Sequence, residues 1–205
     1  MRCIIGITGN IGSGKSAVGK ILSDCGVPVI DTDLIVHDLL TQATPTRQAV
    51  IERFGEGIKL GDGSGAVDRA RLGNLVFQDH HARRDLEAIV HPAVISQYRK
   101  QIRAQGDNEL VAVLVPLLFE AGIEHEFDEI WTVVCDETTL RERLKRRDNL
   151  SDEEIERRLS AQLPAKLKAS RCDQIIDNSR TLTQTAFQVS SLLRALRKRQ
   201  ITVDS

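Results

Sequence analysis

The glycine-rich stretch from Gly9 to Ser16 reads GNIGSGKS and fits the pattern G-x-x-x-x-G-K-[ST]. Glycines in such a loop let backbone N–H groups turn toward an anion at the N-terminus of the next helix. Lys15 can reach β- and γ-phosphates, and the Ser16 hydroxyl can ligate Mg²⁺. An apolar run, residues 3–8, precedes the loop, and apolar residues at helical spacing follow it. This order of strand, loop and helix disfavours a chance glycine turn and predicts binding of a nucleoside triphosphate.

Two carboxylates, Asp31 and Asp33, follow the second predicted strand, residues 27–30. Ligands bind beyond the carboxyl ends of strands in open parallel sheets, so we expect both acids at the same edge as the glycine loop. An acid after a strand can also act as a helix N-cap, and Asp33 or Thr32 could have that role. Two acids one residue apart at this edge favour a functional role.

A basic run follows the strand predicted at 130–135. Such runs are usually the solvated face of a helix. This one follows a strand whose end points toward the phosphate site, where cations would stabilise charge developing on a transferred group. Its position therefore favours a lid, whereas the basic residues 194–199 are predicted to be a solvated helix end. The run consists of Arg141, Arg143, Lys145, Arg146 and Arg147.

Strand and helix patterns alternate along the chain, which is typical of an α/β domain. Residues 34–108 show helical patterning without a buried strand and are longer than one crossover helix requires. We therefore predict one domain with an inserted helical lobe at 34–108 that covers a second substrate. The His91-Pro92 pair is expected to break or kink a helix there. The core is assigned to 1–33, 109–137 and 170–205, and the lid to 138–169.

The composition excludes several other classes of protein. The formal net charge is −1 and aromatic residues make up 3% of the 205 residues, so neither a nucleic-acid nor a membrane partner is expected. The four cysteines are scattered without C-x-x-C spacing, which suits a reducing compartment. No apolar run approaches membrane-spanning length, and the N-terminus passes directly into the first strand. We expect a cytoplasmic protein with no obligate protein partner.

Along nearly its whole length the chain resembles the dephospho-coenzyme A kinase family. The glycine loop is shared by many proteins, whereas the full set of motifs, in the family's order and spacing, is not. The other motifs are Asp31-Thr32-Asp33, Asp68-Arg69 with Leu72 and Val76-Phe77, Leu86-Glu87 with His91-Pro92, Pro116-Leu117-Leu118-Phe119-Glu120, Arg143-Leu144 with Arg147-Asp148, Arg158 with Gln162-Leu163-Pro164, and Asp173, Ile175, Ile176 and Asn178-Ser179.

The resemblance implies transfer of the γ-phosphoryl group of ATP to the ribose 3′-hydroxyl of dephospho-coenzyme A, with Mg²⁺, as the last step of coenzyme A biosynthesis. It implies an α/β, three-layer P-loop NTPase fold with a five-stranded parallel sheet, an inserted helical substrate lobe and a lid. Asp33 would be the base, with Lys15 and Arg143 as further catalytic residues and Ser16 as the metal ligand. The implied nucleotide contacts are Gly12, Ser13, Gly14, Lys15, Ser16, Ala17, Arg147 and Asn178, and the implied acceptor contacts are Asp31, Asp33, His91, Leu117 and Phe119.

Three positions depart from the family pattern. Thr32 replaces the usual Ala and leaves both acids in place, and Ala17 replaces a Thr at a position that can offer its backbone N–H. Arg180 stands where glycine is usual, which questions the local turn and the adenine-side contact.

Two other functions fit part of the sequence. One is a kinase of the same architecture for a nucleoside monophosphate or a sugar acid, which the full motif set disfavours. The other is a GTP-hydrolysing switch, which normally carries Asn-Lys-x-Asp, and no Asn in this sequence is followed by Lys.

Overall fold

Five strands form one sheet in the order β2-β3-β1-β4-β5 in the computed structural model, which describes residues 3–106 and 108–203. The pairs β1–β3, β1–β4 and β4–β5 are parallel. The α/β fold with a five-stranded parallel sheet is therefore confirmed. The strands are β1 (Cys3–Thr8), β2 (Val29–Asp31), β3 (Leu110–Leu114), β4 (Glu129–Val134) and β5 (Gln174–Asp177).

The second strand is shorter than the sequence pattern predicts, because Val27 and Pro28 lie outside it. Proline has no N–H to donate to a ladder, although the Pro28 carbonyl accepts a hydrogen bond from Ala112 N at 2.9 Å. The strand therefore starts one residue after the proline and ends at Asp31.

Contacts between residues divide the chain into two compact units. The first consists of Met1–Ile30 and Gln105–Ser205, and the second is Asp31–Ala104. The first unit holds the sheet and helices α1 (Lys15–Asp24), α6 (Glu137–Asp148), α7 (Asp152–Ser160), α8 (Ala165–Ala169) and α9 (Leu182–Val203).

The apolar core of the first unit joins the sheet to α1 and α9. Its largest member, Trp131 of β4, is fully buried. The strands read as nearly continuous apolar runs because parallel strands in such folds are buried on both faces. Other core residues are Ile5, Ile7, Val18, Leu22, Ala112, Leu114, Val133, Ile176, Val189 and Leu193.

A second, smaller apolar cluster lies between α6 and α7. Asn149 ends α6 with a left-handed φ of 52°, which lets the chain reverse direction. Ser151 then starts α7 with a capping box, in which Ser151 N donates to Glu154 Oε2 at 3.0 Å and Glu154 N donates to Ser151 Oγ at 3.2 Å. The cluster consists of Leu140, Leu144, Leu150 and Ile155, with Ile11, Cys135 and Leu159 packed against them.

The second unit is helical and contains most of the lobe predicted at 34–108. Its helix α5 packs against each of the other three. Among the described residues of the chain, no helix is both long and apolar enough to cross a membrane. The helices of this unit are α2 (Thr32–Thr41), α3 (Pro45–Phe54), α4 (Arg69–Gln78) and α5 (His80–Ala104).

Helix α5 runs through Pro92 without ending, so the predicted break at His91-Pro92 is wrong, whereas the alternative, a kink, stays a prediction. An internal proline costs a helix about 3 kcal/mol through a lost hydrogen bond and a steric clash. Burying one large apolar side chain contributes about 1.5–3 kcal/mol. Val90, Val94, Tyr98 and Ile102 are buried along one stripe of α5, and together they outweigh the proline.

The basic end of α9 is not merely a solvated helix end, contrary to the prediction. Arg199 donates to both carboxylate oxygens of Glu129, at 3.0 and 3.1 Å. Glu129 is 5% exposed, so the arginine neutralises a carboxylate that water cannot reach freely. Sequence periodicity cannot find this pair because its partners lie 70 residues apart.

Replacement of this arginine tests the pair. Arg199→Gln is expected to lower the free energy of unfolding by about 1–3 kcal/mol, because Glu129 then stays buried without its charged partner. Arg194→Gln is the matched control, since exposed Arg194 contacts the Ser191 hydroxyl at 3.3 Å on the same helix. Urea unfolding of the two variants measures the difference. Equal losses of stability would contradict the role of Arg199.

Candidate functional site

The phosphate loop, residues 9–16, connects β1 to α1. Gly14 is the N-cap of α1 with a φ of 98°, and a Cβ there would lie 1.9 Å from Asn178 Nδ2. Gly9 has a φ of 145°, and a Cβ there would lie 2.4 Å from the Val133 carbonyl oxygen. The absence of side chains at these positions lets the loop lie against the ends of β4 and β5. The resulting glycine cradle at the N-terminus of a helix fits a phosphate group.

Lys15 is the first residue of α1. Its ammonium group donates to the carbonyl oxygens of Gly9 at 2.8 Å and Asn10 at 3.2 Å. The cation is therefore held across the loop, where phosphate oxygens would be stronger acceptors than carbonyls. Ser16 follows with an exposed side chain. Ala17 N donates to the Gly14 carbonyl at 3.0 Å, so a nucleotide contact would share that N–H.

Asn178 follows β5 and is 3% exposed. Its Nδ2 donates to the Ser13 carbonyl at 2.9 Å, and its Oδ1 accepts the Thr185 hydroxyl at 2.9 Å. Its side chain therefore positions the phosphate loop from the end of β5. Sequence reasoning missed Thr185, because a threonine in a helical pattern gives no sign that its hydroxyl is buried against Asn178.

Arg180 fits its turn without strain, although the family usually has glycine there. Among the described residues other than glycine, Asn149 is the one with positive φ, so the position of Arg180 does not require glycine. The turn is held by Ser179, whose N–H donates to Asp177 Oδ1 at 2.8 Å and whose hydroxyl accepts Asp136 N at 2.8 Å.

Arg143 is the member of the basic run that contacts the phosphate-loop region. It donates to the Asn178 carbonyl at 2.9 Å and to the Ser13 carbonyl at 3.5 Å. Within the described part of the chain it forms no ion pair with a carboxylate, so its charge is not already neutralised. Three other cations of the run pair with acids of α6 or α7: Arg141 with Glu137 and Glu156, Lys145 with Asp152, and Arg147 with Asp148.

The pKa values of two groups next to Arg143 and Arg147 depart from their ordinary values. Hydrogen bonding to Arg147 holds the pKa of Asp148 below its ordinary value. Burial raises the pKa of the Cys135 thiol, and the nearby Arg143 guanidinium opposes this effect. Arg143 NH1 lies 3.5 Å from Cys135 Sγ. The thiol thus stays protonated next to Arg143 and leaves the guanidinium charge available to an anion.

The turn after β3 carries Leu117 and Phe119. Leu117 is half-buried, whereas Phe119 is 5% exposed. The Arg171 guanidinium carbon lies 4.6 Å from the centroid of the Phe119 ring, a cation–π arrangement. Arg171 also pairs with Glu124, so this turn is attached to the segment that precedes β5.

In the second unit, Asp31 and not Asp33 or Thr32 is the N-cap of α2. Asp31 Oδ1 accepts the Asp33 N–H at 2.9 Å. The predicted cap is therefore one or two residues out of place, because the helix begins directly at the end of β2. The cap leaves the exposed Asp33 carboxylate in the first turn of α2, where a negative charge interacts favourably with the helix dipole.

His91 lies in the same unit, within α5. Its side chain is half-buried and stands next to the buried Val90. It neither ends the helix nor belongs to the buried stripe that holds α5 in place. A binding role for His91 therefore remains a prediction.

Known proteins resemble this chain in both sequence and structure. A family model described as Dephospho-CoA kinase matches residues 3–184. A dephospho-CoA kinase of Symbiobacterium thermophilum is 45% identical over 94% of this chain and 80% of its own length. The dephospho-CoA kinase of Geobacter metallireducens is 42% identical over 92% of this chain and 94% of its own.

Solved structures resemble the chain over nearly its full length. A Thermus thermophilus protein superposes with a TM-score of 0.82 and 32% identity, covering 95% of this chain and 97% of its own. The dephospho-CoA kinase of Campylobacter jejuni superposes with a TM-score of 0.70 and 25% identity, covering 98% and 100%. A shikimate kinase of Acinetobacter baumannii, at 14% identity and a TM-score of 0.53, shares the fold.

Proposed function

Because this chain belongs to the dephospho-CoA kinase family, we propose that it transfers the γ-phosphoryl group of ATP to the ribose 3′-hydroxyl of dephospho-coenzyme A. The products are coenzyme A and ADP, and the reaction is the last step of coenzyme A biosynthesis. The observation that carries the proposal is the glycine cradle beside Lys15 and Arg143, since cations around a phosphate loop are what phosphoryl transfer requires.

The triphosphate of ATP binds along the phosphate loop. The N–H groups of residues 12–17 and the N-terminus of α1 contact its oxygens. Lys15 moves from the loop carbonyls to the β- and γ-phosphates, which are stronger acceptors. The exposed Ser16 hydroxyl would hold Mg²⁺, which neutralises charge between those phosphates when bound.

Asp33 is the general base. Its carboxylate accepts the proton of the 3′-hydroxyl as that oxygen attacks the γ-phosphorus in line. The proposal is supported by its exposed position in the first turn of α2 and by the Asp31 cap that fixes this turn. Asp31 contributes to acceptor binding and would help to hold Mg²⁺ through a water molecule.

Arg143 is the cation that stabilises charge on the transferred group. It already contacts the carbonyls of Ser13 and Asn178 and has no carboxylate partner among the described residues. Arg147 must first leave Asp148 to contact the nucleotide, so we assign it a supporting role. Residues 138–169 act as the lid, with Arg143 at its base.

The helical unit Asp31–Ala104 is the acceptor-binding lobe. His91 from α5 and Leu117 after β3 are proposed to contact dephospho-coenzyme A. Because Phe119 is buried beneath Arg171, it acts by shaping the turn that presents Leu117. We further propose that the enzyme is cytoplasmic and requires no obligate protein partner. The net charge of −1 gives no general attraction to nucleic acid or to an anionic membrane, so neither is proposed as a partner.

A panel of substrates tests the function. Coupled ADP release should depend on dephospho-coenzyme A, while shikimate, gluconate and nucleoside monophosphates give only the background rate. ATP should be preferred to GTP. Higher kcat/KM for another acceptor would assign the chain to a different small-molecule kinase, and hydrolysis of GTP without an acceptor would indicate a nucleotide switch.

A further inference from the structure

Two hydrogen bonds, both donated by the phosphate loop, join this loop to the segment between α7 and α8. Asn10 Nδ2 donates to the Leu163 carbonyl at 3.1 Å, and Ile11 N donates to Gln162 Oε1 at 2.9 Å. Asn10 is 7% exposed. The partners lie more than 150 residues apart in the chain, so this contact closes a long loop whose ordering costs conformational entropy.

The same segment is held in turn by a buried ion pair. Glu120 Oε1 accepts both the Leu163 N–H and the Lys168 ammonium, each at 2.9 Å. Lys168 is fully buried and also donates to the Pro116 carbonyl at 2.9 Å. That carbonyl accepts the Thr8 hydroxyl at 3.3 Å, which returns the network to the residue before the phosphate loop.

The network therefore runs from Thr8 through Pro116, Lys168, Glu120 and Leu163 to Asn10, with Gln162 as a parallel connection to Ile11. A buried lysine is costly unless its ammonium is paired and hydrogen-bonded, and here Lys168 bonds both the Pro116 carbonyl and the Glu120 carboxylate that accepts Leu163 N. The Ile11 side chain packs into the apolar cluster of α6 and α7, so both its backbone and its side chain are restrained.

We propose that Gln162 and the Glu120–Lys168 pair are positioning residues for nucleotide binding. They fix residues 10–11, and so the direction in which the N–H groups of residues 12–16 face the phosphates. Residues 162–168, the last part of the predicted lid segment 138–169, then act as a fixed anchor, and motion of the lid is confined to the residues before Gln162. The proposal rests on the proposed use of ATP.

The first test compares two glutamines. Gln162→Met removes the acceptor for Ile11 N while keeping similar volume, and Gln174→Met is the matched control. Gln174 is also half-buried, and its amide bonds Glu129 at 3.3 Å, at the start of β4. We expect Gln162→Met to raise the KM for ATP about threefold to tenfold, the scale of one net hydrogen bond. The KM for dephospho-coenzyme A should not change, and Gln174→Met should leave both constants unchanged.

A double-mutant cycle supplies the second test. The hydrogen bonds of Asn10 and Gln162 act as one clamp on the phosphate loop if each depends on the other. The effects of Asn10→Ala and Gln162→Met on ATP binding should then be non-additive, because the second change removes a contact that the first has already loosened. The increase in thermal stability caused by MgATP reports this binding without an acceptor. The cycle can therefore be read even if dephospho-coenzyme A is not phosphorylated, so failure of the clamp and failure of the proposed function remain distinguishable.

Two outcomes would overturn the proposal. The first is a Gln162→Met variant whose KM for ATP equals that of wild type and whose thermal stability falls as much as that of Gln174→Met. Gln162 would then have a structural role alone. The other is strict additivity of the two changes in the stabilisation by MgATP.

Discussion

Asp33→Asn is expected to lower kcat by about 10²–10⁴-fold, the usual contribution of a general base. The amide is close in size to the carboxylate but cannot take up the proton of the attacking hydroxyl. The KM for ATP should stay near the wild-type value, because the nucleotide contacts lie in the phosphate loop. Steady-state kinetics with saturating dephospho-coenzyme A measure the effect.

The fold should survive this substitution. The hydrogen bond that caps α2 uses the Asp33 backbone N–H and the Asp31 side chain, so it is kept in the variant. Loss of an acid from a first helical turn costs about 0.3–1 kcal/mol. Asp38→Asn, at an exposed position of the same helix, is the control and should retain full turnover. Near-wild-type turnover of a correctly folded Asp33→Asn variant would exclude the general-base role.

Arg143→Met should reduce turnover by about 10²–10³-fold, as does loss of one preorganised contact to transition-state charge in other enzymes. Two bonds to the carbonyls of Ser13 and Asn178 direct its guanidinium toward the phosphate-loop region. Arg146→Met, at an exposed position of the same helix, should leave turnover unchanged. The comparison separates a specific contact from the general positive charge of α6.

Arg147 provides a further comparison. Since it is paired with Asp148, Arg147→Met should have a smaller effect on turnover than Arg143→Met. If Arg143→Met changed neither turnover nor the KM for ATP, the assignment of Arg143 to the transferred group would be wrong.

Local sequence patterns were sufficient for the elements that build the phosphate site. A strand, a glycine loop and a helix start are each defined by residues within a few positions, so their signals survive without knowledge of the fold. The strands predicted at residues 3–8, 27–30 and 130–135 depend on local patterns of the same kind. The full set of motifs also predicted the family, because the order and spacing of motifs over the whole chain identify a family far more specifically than one glycine loop does.

Contacts between distant residues account for what the sequence did not predict. The continuity of α5 through Pro92 depends on a buried stripe, and α5 packs against three other helices. The Arg199–Glu129 pair, the Thr185–Asn178–Ser13 connection and the buried Lys168 all join segments far apart in the chain. In each case the partner is set by the tertiary fold, and a lysine or threonine in a helical pattern gives no sign of it.

The different contacts of Arg143 and Arg147 also depend on the fold. Both belong to one basic run, and their positions on α6 decide that one reaches the loop carbonyls while the other meets Asp148. The sequence pattern indicated a cationic segment here, but it did not show which of its arginines contacts the phosphate loop and which contacts Asp148.

The most direct test of the central claim follows the phosphoryl group itself. ATP labelled at the γ-phosphate is mixed with the enzyme, Mg²⁺ and dephospho-coenzyme A, and the products are separated and identified by mass. Label recovered in coenzyme A, at the ribose 3′ position and in equal amount to the ADP formed, is the predicted result. Label found in inorganic phosphate alone, whether or not dephospho-coenzyme A is present, would contradict it.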